Sequence, residues 1–253
     1  MADYNPNRKS SWNYGGNNWK LSRSKIGLFQ ECPRCFYIDN KLGTKRVPIP
    51  TFQINKAVDY QLKQEFDAYR VKGIQHPLQK EYEIDAKPAM HQKLDQWREN
   101  FEGIQYLHEP TDLMISGAID DLWINGNNEY IVVDYKATAK NDPVKELSGK
   151  WHENYKRQIE VYQWLLRKNN LKVSNVGYFV YCTGKYDQKS FDKKIEFDTI
   201  PISYIGDDSW VEPIIYEIKE CLESDKMPES NKGCEHCAWW YARNKYENNQ
   251  NLT

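Results

Sequence analysis

Residues 113–137 read LMISGAIDDLWINGNNEYIVVDYKA. Two runs rich in β-branched and aromatic residues flank the polar turn Gly126-Asn127-Asn128, which predicts a hairpin with strands over 113–125 and 129–137. Alternate residues of a strand share a face, so Asp134 and Lys136 point one way while Ile131, Val133 and Tyr135 point the other. Asp120 stands as far from the turn on the first strand as Asp134 does on the second, and pairing brings the two carboxylates together. Asp121 points away from Asp120 and is set aside. Two adjacent carboxylates repel unless a cation lies between them. Mg²⁺ or Mn²⁺ suits such a place, because hard ions take carboxylate, water and phosphate oxygens. With Lys136 beside the ion to orient water or steady charge, the chemistry that fits is phosphodiester hydrolysis.

Working outward, residues 1–20 are rich in Asn, Gly, Ser and Trp without period and are expected to form a flexible arm. A helix capped at Ser22 or Ser24 is predicted to run through Ile26, Phe29 and Phe36 and to stop near Gly43, carrying Cys32 and Cys35. Residues 51–70 show helical spacing at Ile54, Ala57, Val58, Leu62 and Phe66. Gly73, Pro77, Pro88 and Pro110 break up 71–110, an insertion or bridging segment with one short helix near 90–101. After the hairpin come a loop, a helix over 151–169, strands over 173–182 and 191–197, and a helix over 208–222. This order predicts an α/β fold, a mixed central sheet flanked by helices. One domain over 21–240 and a tail over 241–253 complete the expected layout.

The chain has 253 residues and a net charge of −1, with 9 Trp, 18 Tyr and 8 Phe to fill a core. That aromatic content excludes wholesale disorder. The opening residues have neither an apolar run nor an Arg-rich amphipathic pattern, so a cytoplasmic, membrane-free protein is expected. The charge is unevenly spread: residues 1–50 carry 9 basic and 3 acidic side chains and residues 135–172 carry 9 and 4, whereas residues 81–134 carry 3 and 12. Basic blocks on a near-neutral chain are read as a phosphate-binding surface or as solvated helix faces.

Gly117 to Asp120, Asp134 to Lys136 and Gln158 to Tyr162, in that order, resemble the G-x-x-D, D-x-K and Q-x-x-x-Y motifs of the PD-(D/E)XK nuclease superfamily in its RecB-like branch, which includes CRISPR-associated RecB-like exonucleases. The resemblance covers roughly residues 21–240. It implies a restriction-endonuclease-like fold and cleavage of single- or double-stranded DNA, by an exonuclease in repair, recombination, phage biology or CRISPR adaptation. Asp120, Asp134, Lys136 and Gln158 would be catalytic, and Tyr155, Lys156, Arg157 and Tyr162 would meet DNA. The metal ligands would be Asp120, Asp134, the Tyr135 carbonyl and, from the early helix, Asp59. This branch usually has His where Asp59 stands and an acidic residue where Lys63 stands. An Asp59–Lys63 ion pair is the competing expectation, and with it a catalytically silent nucleic-acid-binding module is the alternative to the nuclease. A metal-stapled interaction protein that binds no DNA is a third possibility.

Cys32-x-x-Cys35 and Cys234-x-x-Cys237 predict a four-thiolate site, a cysteine-rich clasp joining the C-terminus to the early helix. Cys182 and Cys221 read as buried apolar residues. Sulfur spacing alone fits either Zn²⁺ or an iron–sulfur cluster. The resemblance favours a [4Fe-4S] cluster, although its usual pattern has one early and three late cysteines and Arg243 stands at the last of these positions.

Overall fold

The computed structural model describes residues 5–47, 53–149 and 151–250. The first four residues of the expected arm, the first two of the expected 51–70 helix and the last three of the tail lie outside them. In chain order the elements are β1 (Leu21–Ser22), α1 (Arg23–Glu31), α2 (Pro33–Asn40), α3 (Gln53–Lys72), α4 (Pro77–Glu81), β2 (Ala86–Pro88), α5 (Leu94–Arg98) and β3 (Ile104–His108). They continue with β4 (Leu113–Gly117), β5 (Asp121–Asn125), β6 (Tyr130–Ala139), α6 (His152–Lys168), β7 (Val176–Gly184), β8 (Phe197–Ile205), α7 (Val211–Glu223) and α8 (Glu235–Gln250). The chain forms two compact units. One comprises Met1–Ile49, Leu107–Ile115 and Glu212–Thr253, the other Pro50–Tyr106 and Ser116–Val211.

The second unit contains a five-stranded mixed sheet in the order β2-β5-β6-β7-β8. Only β6 and β7 run parallel, joined through α6, because a parallel neighbour requires a long crossover and a helix supplies it. Phe66 of α3 stacks on Trp123 at 5.5 Å and lies 5.8 Å from Tyr135. Around them Leu62, Ile131, Val133, Val180 and Cys182 form one apolar cluster. This burial fixes the register: Ile131, Val133 and Tyr135 face α3, so Asp134 and Lys136 are turned to the other face, toward α6.

The 113–125 run is two strands. After Gly117 the chain leaves β4, and β5 begins at Asp121, paired with Val133. Residues of the 71–110 segment hold the break open: Ile119 N–H donates to the Trp97 carbonyl at 3.1 Å, and Arg98 Nε to the Asp120 carbonyl at 3.1 Å. Backbone groups that a continuous ladder would have paired are thus satisfied from α5. The same segment contributes the edge strand β2, through Ala86↔Asn125, and is part of the sheet. The strand expected over 191–197 begins where that range ends, as β8 (Phe197–Ile205).

In the first unit the early helix is two helices. Cys32 is extended (φ −163°, ψ 106°) and Pro33 opens α2, as expected where a proline disfavours helical geometry in its predecessor. Residues 5–20, expected to be a flexible arm, are hydrogen-bonded to the end of α2 and the turn after it. Arg8 N–H donates to the Gly43 carbonyl at 2.8 Å, Tyr14 N–H to the Asn40 carbonyl at 2.8 Å and Trp19 Nε1 to Asn40 Oδ1 at 3.1 Å. In α7, Ile215, Ile218 and Leu222 are buried on one face by helical spacing. The start of the expected tail is helical, as part of α8.

Candidate active site

One charged stripe of α3, Asp59, Lys63, Asp67 and Arg70, recurs at intervals of four, four and three residues and therefore shares a face. Lys63 Nζ lies 2.9 Å from Asp59 and 3.6 Å from Asp120, so its ammonium bridges a helix carboxylate and a strand-break carboxylate. The ion pair expected between Asp59 and Lys63 is present, and Asp120 joins it. Burial and the neighbouring Asp120 raise the Asp59 pKa above the usual value, against the pull of Lys63.

Asp120 is held by a backbone group that the sheet leaves over. The β5–β6 ladder ends at Asp121↔Val133, and the Tyr135 N–H on that edge donates to Asp120 Oδ2 at 2.9 Å. In an extended strand the N–H and C=O of one residue point to the same side, so the Tyr135 carbonyl faces this edge as well. One residue to either side, Asp134 and Lys136 project to the opposite face, where they form an ion pair. Lys136 Nζ lies 3.5 Å from Gln158 Oε1 and 4.6 Å from the centre of the Tyr155 ring. Gln158 Nε2 donates to the Tyr162 hydroxyl at 3.1 Å. Residues from α3, the strand break, β6 and α6 therefore converge on the stretch 134–136.

Tyr162 was expected to meet DNA, but it is buried, its ring packed where a Cβ on Gly117 would stand. This contact explains the glycine of the G-x-x-D motif: a methyl group there would approach the ring to 2.7 Å. Gly117→Ala should displace Tyr162 and with it Gln158, costing about 1–3 kcal/mol as overpacking does. Urea unfolding checks the stability loss, and a nuclease assay should show a fall in activity beyond the loss of folded protein. Of the other residues expected at DNA, Tyr155 is half-buried under Lys136, and Lys156 pairs with Glu153 at 2.7 Å. Arg157 is half-buried on the same turns of α6.

Asp121 is fully buried. It accepts from Arg98 Nη2 at 2.7 Å, from the Tyr135 hydroxyl at 2.7 Å and from Arg70. Both guanidiniums also bind Asp67, Arg98 at 2.8 Å and Arg70 at 2.8 Å. Burial and the Asp121 charge push the Tyr135 hydroxyl well above its usual pKa, so it stays a donor. Sequence reasoning missed this Arg–Asp network under the site. The signal for it was the charged stripe of α3.

The donor set Asp59, Asp120, Asp134 and the Tyr135 carbonyl is all hard oxygen, which fits a magnesium-like ion. The two acidic groups bridged by Lys63 show a place where positive charge is already stabilised. These carboxylates are not drawn tightly together. Among the described residues, the group of His, Cys, Asp or Glu donors that all lie within 4.8 Å of one another is Cys32, Cys35, Cys234 and Cys237.

Residues 52–241 match the family model of the PD-(D/E)XK nuclease superfamily. The chain belongs to that superfamily. No curated protein matches it. Among solved structures it is similar to the crystal structure of SSO0001, with a TM-score of 0.41 and 15% identity over 83% of this chain and 79% of that one. PD-(D/E)XK proteins are metal-dependent nucleases that hydrolyse phosphodiesters, and the matched residues include the stretch 134–136. No helix among the described residues of this PD-(D/E)XK protein is long and apolar enough to cross a membrane.

Proposed function

We propose that this chain is a Mg²⁺- or Mn²⁺-dependent deoxyribonuclease of RecB-like type, with Asp120, Asp134, Lys136 and Gln158 catalytic and Asp59 and the Tyr135 carbonyl completing the metal site. The observation that carries the reading is Lys136. It is ion-paired to Asp134 and within reach of Gln158 Oε1, and the preceding residue's amide, Tyr135 N–H, holds Asp120. When bound, a divalent ion supplies Lewis acidity toward the phosphate and lowers the pKa of its water. The protein groups do the rest. Asp120 is oriented by the Tyr135 N–H, and Gln158 is anchored by Tyr162, leaving its carbonyl directed at Lys136. Lys136 presents its side-chain nitrogen beside the scissile phosphate and donates toward the attacking water or the developing oxyanion. Half-buried Tyr155, Lys156 and Arg157 on α6 are the residues assigned to contact DNA, Tyr155 being the one that lies against Lys136. An exonuclease acting on DNA ends, in repair, recombination, phage biology or CRISPR adaptation, is the activity most in keeping with the RecB-like motifs.

The bridging Lys63 favours a second reading, a nucleic-acid-binding module whose ammonium has replaced catalytic metal. Labelled single- and double-stranded DNA incubated with Mg²⁺, Mn²⁺ or EDTA separates the two. Cleavage that requires the divalent ion supports the nuclease, whereas salt-dependent binding by folded protein without cleavage supports the module. Lys63→Met adds a second measure. Removing a competing cation from a partly exposed pair is worth about 1 kcal/mol, so the Mn²⁺ concentration for half-maximal cleavage should fall roughly fivefold. An unchanged or higher requirement would show that Lys63 supports the site.

A further inference from the structure

We propose that the four-cysteine clasp holds a single tetrahedrally coordinated zinc ion and is too tight for an iron–sulfur cubane, contrary to what the family resemblance implies. The proposal does not depend on nuclease activity, since all four ligands lie in the first unit and none is part of the site described above.

The separations decide it. Cys35 Sγ lies 3.5 Å from both Cys234 Sγ and Cys237 Sγ, Cys32 Sγ lies 3.9 Å from Cys237 Sγ, and all four sulfurs fall within 4.8 Å of one another. Four thiolates about 2.3 Å from one zinc ion stand at tetrahedral corners about 3.8 Å apart. In a cubane each cysteine binds its own iron, so the sulfurs stand outside a four-metal body and spread to roughly 6 Å. A two-iron cluster also fails, because sulfurs on different irons are spread by a similar amount while only those sharing an iron are close. The observed distances are far longer than the roughly 2.05 Å of a disulfide, and all four cysteines are unpaired by disulfides.

The backbone builds two matching corners for such an ion. Cys32 immediately precedes α2, with Cys35 in its first turn; Cys234 immediately precedes α8, with Cys237 in its first turn. In each corner the first cysteine's carbonyl accepts the N–H four residues on, from Phe36 and from Ala238, both at 3.0 Å. Both pairs are thus presented by helix N-termini, whose partial positive charge favours thiolates. Zinc with four thiolates carries two net negative charges. Arg46 offsets part of that charge, with Nη2 3.8 Å from Cys234 Sγ and Nη1 anchored to Glu31 at 3.1 Å. The sulfurs are buried with Leu28 packed against them, and no space is left inside the tetrahedron for bridging sulfide.

The test uses the full chain purified without oxygen, so that a labile cluster is retained. Zinc, iron and acid-labile sulfide are quantified per chain, and thiol reactivity is followed before and after chelation. The expected result is about one zinc per chain, negligible sulfide, and four thiols that become reactive only on chelation. Replacement by cobalt(II) should give the intense visible bands of a tetrahedral tetrathiolate. Cys35→Ser should lose most of the zinc; should it fail to fold, the wild-type stoichiometry and cobalt spectrum still decide. Iron with stoichiometric sulfide, iron without sulfide, or a metal-free protein with four freely reacting thiols would each overturn the proposal.

Discussion

Lys136→Ala and Asp134→Asn are each expected to lower DNA cleavage by about 10²–10³-fold or more, the scale of losing one preorganised charged group at a reacting centre, with folding and DNA binding retained. Lys136 is the cation paired with Asp134 and reaching Gln158, so alanine removes the charge that would face the phosphate. Asp134→Asn keeps the shape but removes a charged metal ligand. Each single change also takes away one member of a buried ion pair: with Lys136 gone, the buried Asp134 carboxylate loses this cation. Asp134→Asn/Lys136→Ala should therefore recover any stability that Lys136→Ala loses, without recovering activity. The measurements are single-turnover cleavage with Mg²⁺ and Mn²⁺, circular dichroism and a binding titration. Near-normal cleavage by either single variant would remove Lys136 and Asp134 from the mechanism.

The second large effect is on folding. Asp121→Asn should destabilise the protein by about 3–5 kcal/mol, as breaking a buried charge network does. The side chains of Arg70 and Arg98 are 6% and 10% exposed, and without Asp121 the acidic partner of this network that remains to them is Asp67. The loss also frees the Tyr135 hydroxyl and loosens Arg98, whose Nε holds the Asp120 carbonyl. Activity should therefore fall along with stability. Equilibrium urea unfolding measures the change, and a value below about 1 kcal/mol, the range of surface pairs, would mean the network is not a structural support. The pH dependence follows from Asp67. Burial raises its pKa, but hydrogen bonds from Arg98 and Arg70 outweigh that and hold it below the ordinary value of 3.8. Its contribution to stability is therefore complete above the unfolded-state pKa and is lost as pH falls through the folded one.

Much of the site was legible because strand geometry has a strict period. From Asp134-Tyr135-Lys136 alone, alternation put Tyr135 in the core and the two charges together. Helical spacing placed Gln158 and Tyr162 on one face of α6, and they are hydrogen-bonded there. The same local rules gave poor results where distant residues intervene. Nothing within 113–125 shows that the run breaks at 118–120, because the groups that satisfy its backbone, Trp97 and Arg98, belong to another segment. Alternation by itself sets Asp121 aside. It does point away from the site, and it is the charge on which the support beneath the site is built.

Local pattern thus determined the mixed α/β class, the shared face of Asp134 and Lys136 and the pairing of two C-x-x-C corners, because each depends on a period or spacing of a few residues. Tertiary structure alone decided that Lys63 bridges Asp59 and Asp120, that Tyr162 is buried against Gly117, and that the four sulfurs lie within 4.8 Å of one another. Each of these depends on a distance between segments remote in sequence, and such a distance is set by how side chains fill a shared core.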